Sequence, residues 1–441
     1  MPNQNALLYH RHIEKRSNQY NEIMTELGYD SLLIHSGCPE LRLFDDQHPP
    51  FRAHAPFVAL IPQPFAADCL LELRVGRTPR LWFSQPRDFW HLTPESPAEW
   101  WAGVLDIEVV AGPEGWHDRF RDDRPMAVLG RERDLGSLIG TADLNPPKLI
   151  ARLDELRTRK TAWERQCIAM ANKTAASAHM DAGAAFESGA SELEIHLAYL
   201  AAARQDQDEL PYNSIVALND HAAVLHYQFR SPTRPADSRS FLIDAGAHYF
   251  GYAADVTRTW TRPEHSEFDD LIELVDSAQQ QLCARVRTGV SFVDLHRQAH
   301  IMIASVLEQS GLVRMAPEAM VDAGISSYFL PHGLGHFIGV QVHDVAGKVS
   351  NAGEPLPPPD QYPSLRLTRE LEVGHVLTIE PGLYFIPMLL DKLRDSQFSK
   401  QVDWMAIDRL KPFGGIRIED NVLVTEAEPV NFTRQAFAML A

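Results

Sequence analysis

FLIDAGAHYFGYAADVTRTW, residues 241–260, is the stretch on which the reading of this chain turns. Its two ends, FLIDAG and YAADVTRTW, read as the strands of a hairpin. Alternation puts Asp244 on the face opposite Ile243 and Ala245, and Asp255 on the face opposite Ala254 and Val256. Aspartate is depleted in strands, so two of them within apolar strands of one hairpin need a reason. A sheet-edge or turn position for each is the plain alternative to a shared site.

Further along, Pro331-His332-Gly-Leu-Gly-His336 carries two histidines four apart. On a helix they would form a zinc pair, but Gly333 and Gly335 argue against a helix. Glycines let backbone pack closely around a ligand, which gives His332 and His336 separate duties. The spacing is not GxGxxG and no strand–turn–helix surrounds it, which argues against a dinucleotide loop. His343 follows seven residues on; any of the three alone could be a satisfied core histidine. Glu380 ends VLTIE and is followed by Pro381-Gly382. Glu419 ends GGIRIE with Arg417 two residues earlier on the same strand face, so an ion pair could explain it. Should two Asp, two Glu and one His converge, four carboxylates would repel one another severely. Two divalent cations would cancel that charge. Carboxylates with one imidazole favour manganese, cobalt or zinc over calcium. Two such ions roughly 3.5–4 Å apart, bridged by carboxylates, generate a hydroxide near neutral pH and polarise a carbonyl. The implied chemistry is hydrolysis.

The rest of the chain frames this site. Its 441 residues predict two or three domains. Hydrophobic content of 45% and charged content of 23% exclude wholesale disorder. Forty-one basic against 59 acidic residues, net −18, argue against nucleic-acid and membrane-surface partners. No apolar run approaches a membrane span and no signal peptide is visible. Cys38, Cys69, Cys167 and Cys283 include no CxxC pair, so a reduced, cytoplasmic setting is expected. The fold class is α/β (α+β), with a mixed α/β domain over 1–159 and a second domain over 160–441. In the first, a helix is expected near 11–27, ending at Gly28, with strands at Ser31–His35, Phe57–Ile61, Leu70–Arg74, Leu81–Phe83, Ile107–Val110 and Met126–Leu129. A short helix at 149–157 leads onward. Thr161-x-x-Glu164 and Ser191-x-x-Glu194 are capping boxes that open helices. Strands from 213 to 260, helices near 267–287 and 292–310, and strand-rich sequence to 425 suggest a helix pair followed by strands, twice.

The order D-A-G…D…H-G-x-G-H…E-P-G…R-I-E resembles the pita-bread metallopeptidases: methionine aminopeptidase, aminopeptidase P and prolidase. With PYNSIVALN at 211–219, His226 and FDDQHPPF at 44–51, the chain is most similar to the bacterial prolidase (Xaa-Pro dipeptidase) branch, close to prolidases of the organophosphorus acid anhydrolase type. The resemblance implies a creatinase-N-like domain before a pita-bread catalytic domain. It implies that Asp244 and Asp255 hold one metal, His336 and Glu380 the other, and that Asp255 and Glu419 bridge them. Two divalent ions per chain are expected, manganese first, cobalt or zinc otherwise. By the same resemblance His226, His332 and His343 line the cleft as catalytic histidines, Glu380 shuttles a proton, and Arg417 organises the metal carboxylates. Arg369 is the expected partner of the dipeptide carboxylate, Tyr212 a cleft wall, and Asp45 or Asp46 the partner of the free amine. The implied reaction cleaves Xaa-Pro dipeptides to a free amino acid and proline, with phosphotriesters as side substrates. A homodimer is implied, in which one subunit's N-terminal domain closes its partner's cleft. Aminopeptidase P action on longer Xaa-Pro peptides is the alternative. A non-catalytic module on this fold would have lost ligands, and all five are present.

Overall fold

The first helix, Pro2–Leu27, is longer than its apolar spacing predicts and ends at Gly28, where a φ of +81° suits glycine. The structure is a computed structural model that describes residues 2–112, 120, 125–135, 142–264 and 266–440. The chain forms two units, Met1–Arg157 with Thr161–Gln166, and Thr158–Lys160 with Cys167–Ala441.

The first unit is built on a six-stranded sheet. Its strands are β1 (Ser31–His35), β2 (Leu70–Arg74), β3 (Arg80–Ser84), β4 (Asp106–Val110), β5 (Met126–Leu129) and β6 (Asp143–Leu144), in the order β4-β3-β2-β1-β5-β6. β1, β5 and β6 run parallel, whereas β2 is antiparallel to β1 and β3. The central strand β1 is buried throughout, as a strand covered on both faces must be. The apolar run Phe57–Ile61 is not a strand. It begins in a helical turn, Ala55–Val58, with Pro56 in the first turn, where its fixed φ suits a helix start. Phe57 and Ile61 are buried either way, and for so short a run apolar content alone does not separate strand from helix.

Both capping boxes form. Thr161 N–H donates to Glu164 Oε2 at 2.7 Å, and Ser191 N–H donates to Glu194 Oε2 at 2.8 Å. They open the helices Ala162–Glu187 and Glu192–Ala203. In the second unit there follow β7 (Ile215–Leu218), β8 (Ser240–Asp244), the short hairpin β9 (His248–Tyr249) and β10 (Tyr252–Ala253), and β11 (Thr257–Thr261). Helices Ser266–Ala284 and Phe292–Gln309 come next. Then come β12 (Val376–Ile379), β13 (Gly382–Tyr384), β14 (Gly415–Arg417), β15 (Asp420–Leu423) and β16 (Val430–Asn431). A helix pair followed by strands therefore occurs twice. The stretch expected to be strand-rich after residue 310 is instead loop and short helix as far as 375, joined to its neighbours by isolated bridges.

Each helix pair covers one face of its strands. Ile195 and Tyr199 pack with Phe241, Ile243 and Ala245. Phe268, Leu271 and Ile303 pack with Leu377, Ile379, Ile416 and Ile418. Truncating a buried residue such as Ile379 to alanine would cost about 2–5 kcal/mol. Period-2 alternation sends Asp244 away from the apolar face of β8, because its neighbours Ile243 and Ala245 are committed to the core.

Candidate metal centre

Strand register assembles the acidic residues. Thr257 is the Cα partner of Asp244 across β8 and β11, and it also bridges to Glu419. Ile379 pairs with Asp420 and Gly382 with Arg417, so Glu380 and Glu419 fall between matched positions on facing chains. The His332–His336 motif runs beside β12: Glu380 N–H donates to Leu334 O at 2.8 Å and Thr378 N–H to His336 O at 2.9 Å. A Cβ on Gly335 would lie 2.0 Å from Thr378 O, so glycine is required for this approach. All five expected ligands thus lie on adjacent chain segments.

Candidate ligand atoms of Asp255, His336 and Glu419 all lie within 4.8 Å of one another, and the three residues are buried. His336 Nε2 is 3.4 Å from Asp255 Oδ2 and 3.7 Å from Glu380 Oε1. His336 Nδ1 donates to Phe337 O at 2.9 Å, which points Nε2 at the carboxylates. Asp255 does not lie inside a strand as alternation predicts. It occupies a break between β10 and β11, where its N–H donates to Asn421 Oδ1 at 3.1 Å and its carbonyl accepts from Asn421 Nδ2 at 2.6 Å. Asp244 Oδ1 accepts from Tyr212 Oη at 2.8 Å, and its Oδ2 accepts from Arg417 Nη2 at 2.8 Å. Arg417 therefore pairs with Asp244; the ion pair with Glu419 that its spacing allowed is not formed. Glu419 Oε2 accepts from Thr257 Oγ1 at 2.8 Å, whereas Oε1 is buried with no hydrogen-bond partner among the described residues. An orphaned carboxylate oxygen beside an imidazole nitrogen and two further carboxylates fits a divalent cation.

The electrostatics agree. Burial pushes Glu419 well above the usual carboxylate range, and Asp255, Glu380 and Asp244 add to the rise. Burial raises Glu380 to about 7, with Asp255 and Asp244 adding and His336 and Arg417 opposing. Asp244 is also raised by burial, against the pull of Arg417. Burial alone would raise Asp255, but His336 beside it holds it low. His332 is lowered to about 3 by burial and then by Arg417, so it is neutral at neutral pH. Its Nδ1 donates to Gly333 O at 2.8 Å, and its Nε2 accepts from Tyr384 Oη at 2.8 Å. Arg417 Nη1 donates to the same hydroxyl at 2.9 Å. Tyr384 and Asn421 escaped the sequence reading. Register opposite Gly415 and adjacency to Glu419–Asp420 were the only signals, and neither is chemical.

The remaining residues separate by exposure. His343 and His226 are exposed, the His343 ring lying 4.4 Å from that of His336. Burial and then the neighbouring His336 and Arg366 lower His343 to about 4. His226 lies near both His332 and His343. The segment carrying it is clamped by buried Glu192, which accepts from Leu218 N–H (3.0 Å), His221 Nδ1 (2.6 Å), Tyr227 Oη (2.8 Å) and Ser231 N–H (2.8 Å). Tyr212 is half-buried beside Asp244. Arg369 differs from expectation: it is 2% exposed and its guanidinium is engaged by Ala346 O, Asn351 and Glu372, which leaves no open face for a substrate carboxylate. Arg366, three residues earlier, is exposed near His343. Asp45 lies in the first unit on an exposed loop, its Oδ1 accepting from Gln47 N–H at 3.2 Å.

A buried acidic cluster with one imidazole, set where two helix-backed sheets meet, defines a metal-dependent hydrolase. The model of metallopeptidase family M24 matches residues 166–426, and that of the Xaa-Pro dipeptidase N-terminal domain matches residues 7–154. The chain is 45% identical over 437 residues to a Xaa-Pro dipeptidase of Marinobacter nauticus, covering 99% of this chain and 100% of the relative. It is 41% identical to one from Stenotrophomonas maltophilia, covering 98% and 97%. Among solved structures it resembles an Escherichia coli aminopeptidase P with the inhibitor Pro-Leu, at a TM-score of 0.72, 21% identity and 98% coverage of both chains. This chain belongs to metallopeptidase family M24. None of its described helices is long and apolar enough to cross a membrane.

Proposed function

We propose that the protein is a Xaa-Pro dipeptidase that hydrolyses the bond to the proline nitrogen and releases a free amino acid and proline. The observation that carries this reading is the convergence of Asp255, His336 and Glu419, with an orphaned oxygen on Glu419 and with Glu380 3.7 Å from His336; the near-full-length likeness to Xaa-Pro dipeptidases supports the substrate class. Asp244 and Asp255 would hold one divalent ion, His336 and Glu380 a second, with Asp255 and Glu419 reaching both. Manganese is favoured, with cobalt or zinc as substitutes. When bound, such ions supply a nucleophile at neutral pH and polarise the scissile carbonyl.

The chain's own groups do the rest. Glu380, a carboxylate 3.7 Å from His336 Nε2, is placed to take and return a proton. Arg417 neutralises Asp244 and, through Tyr384, fixes the His332 ring. His343 and His226 offer ring N–H groups to the substrate from exposed positions. His343 does so uncharged at neutral pH, because it is lowered to about 4. Arg366, in place of Arg369, is the proposed partner of the dipeptide carboxylate. Tyr212 walls the cleft, and Asp45 from a second copy of the chain meets the amine in a homodimer. The domain boundary at 159–160, a cytoplasmic setting and side activity on phosphotriesters belong to the same reading.

The test compares a Xaa-Pro dipeptide with Xaa-Pro-Yaa, using enzyme chelated and then reloaded with manganese, cobalt or zinc. Fast cleavage of the dipeptide alone, lost on chelation and restored by metal, is expected. Equal cleavage of the tripeptide would instead favour an aminopeptidase P activity.

A further inference from the structure

A cavity of about 220 Å³ lies in the first unit, and no residue of the acidic cluster lines it. It opens where β1, β5 and β6 end. Ile34 and His35 close β1, Leu129 and Gly130 close β5, and Asn145 follows β6 directly; all five line the cavity. The carboxyl ends of parallel strands are where open α/β sheets bind ligands, because the loops diverge there and leave a crevice. The helix Pro147–Thr158 supplies one wall through Ile150, Leu153, Asp154 and Arg157, which share a single helix face.

The lining has a defined chemistry. Ile150, Leu153, Leu129, Pro56 and the Tyr20 ring make it largely apolar. Set into it are opposite charges, with Arg157 Nη1 and Asp154 Oδ1 3.8 Å apart. Arg157 is 5% exposed, so a carboxylate that joined its ion pair from the cavity would be largely shielded from water. A ligand with one charge would match only one of these groups. A zwitterion, whose ammonium and carboxylate sit on the same carbon, matches both and brings no net charge into the cavity. At about 30 Å³ per water the space holds roughly seven waters, the size of a single small amino acid.

We propose that this cavity binds a free, apolar α-amino acid, with the carboxylate on Arg157, the primary or secondary ammonium on Asp154, and the side chain against Leu129, Leu153 and Pro56. The site is separate from the acidic cluster, and the inference does not depend on the dipeptidase reading. Were that reading correct, the products of the reaction would fall in this ligand class.

The experiment is calorimetric titration of the metal-loaded enzyme with L-proline and L-leucine, and with N-acetyl-L-proline, L-prolinamide and inorganic phosphate as probes that keep one charge or lack the zwitterion. The same titrations follow on Ile150→Trp, which fills the cavity, and on Asp154→Asn. The wild type should show a binding event for a free amino acid that Ile150→Trp lacks, while dipeptide turnover in that variant is unchanged. Asp154→Asn and both blocked analogues should weaken that event by roughly tenfold or more. Should Ile150→Trp lower the melting temperature, the Asp154→Asn titration decides alone. Equal stoichiometry and affinity in the wild type and the folded variants, or binding of phosphate as tight as that of amino acid, would overturn the proposal.

Discussion

Removing the metal should make the protein's stability fall as pH rises, and Glu380 sets the size of the effect. In the folded metal-free chain this carboxyl rises from 4.5 to about 7, chiefly through burial. The folded state thus binds its proton more tightly than the unfolded chain does. The corresponding stability is fully present below about pH 4.5 and is lost as pH passes through about 7. At 1.36 kcal/mol per tenfold, the rise is worth about 3 kcal/mol. Glu419, raised in the same direction, adds to the fall. Asp255, held low, opposes it, its stability being gained in the acid range. For a unit of this size about 3 kcal/mol is a drop in melting temperature of roughly 6–12 °C. Thermal melts of chelated and reloaded enzyme at about pH 5 and pH 8 measure it, since bound cations remove the repulsion and compete with protons. The gap between reloaded and chelated enzyme should widen with pH, and Glu380→Gln should narrow it. A chelated protein more stable at pH 8 than at pH 5, or a gap that Glu380→Gln leaves untouched, would refute the reasoning.

Three further outcomes are expected. His336→Ala should lose one ion per chain and nearly all turnover, whereas His332→Ala should keep its metal, because the His332 nitrogens are already spent on Gly333 and Tyr384; metal analysis of both variants decides. Asn421→Asp keeps an acceptor for Asp255 N–H but removes the donor to Asp255 O, so about 1–3 kcal/mol of stability should go together with weaker metal retention, read by melts and dialysis. Arg366→Ala should raise KM for a Xaa-Pro dipeptide with a smaller change in kcat, whereas Arg369→Ala, breaking contacts of a buried guanidinium, should lower the melting temperature; steady-state kinetics beside thermal melts separates them.

Most of the site was legible because its residues break local rules. Asp244 and Asp255 stand out against strand preference, and Gly333 and Gly335 forbid the helix that two histidines four apart suggest. What the sequence conceals is set by long-range pairing. That Asp255 sits in a strand break follows from Asn421, 166 residues away, bonding both its backbone groups. That Arg369 is an internal strut while Arg366 is exposed depends on how the loop before β12 folds back on Ala346 and Asn351. In the first unit the helical turn at Ala55–Val58 hid inside an apolar run whose burial is the same in either conformation.

Burial and neighbouring cations, against the pull of the acidic cluster, keep His332 and His343 neutral. Asp244, Asp255, Glu380 and Glu419 carry four negative charges when ionised, and Arg417 offsets one of them. Among the nearby bases His332 and His343 add nothing, being held to about 3 and 4, whereas His336, which burial lowers but Asp255 and Glu380 raise further, holds a proton that it gives up on taking a metal. Left to itself the cluster answers by keeping protons, which is the meaning of the raised Glu419 and Glu380. One divalent cation would leave a net charge of about −1 on these five side chains, whereas two would carry it to about +1, the sign needed to draw the oxygen of a scissile carbonyl. A positive charge built from more fixed arginines would be permanently paired with the carboxylates and would offer no coordination position. Exchangeable ions leave the carboxylates in place and still present positive charge to the substrate, so a cluster that is costly on its own is the form a metal-dependent hydrolytic site requires.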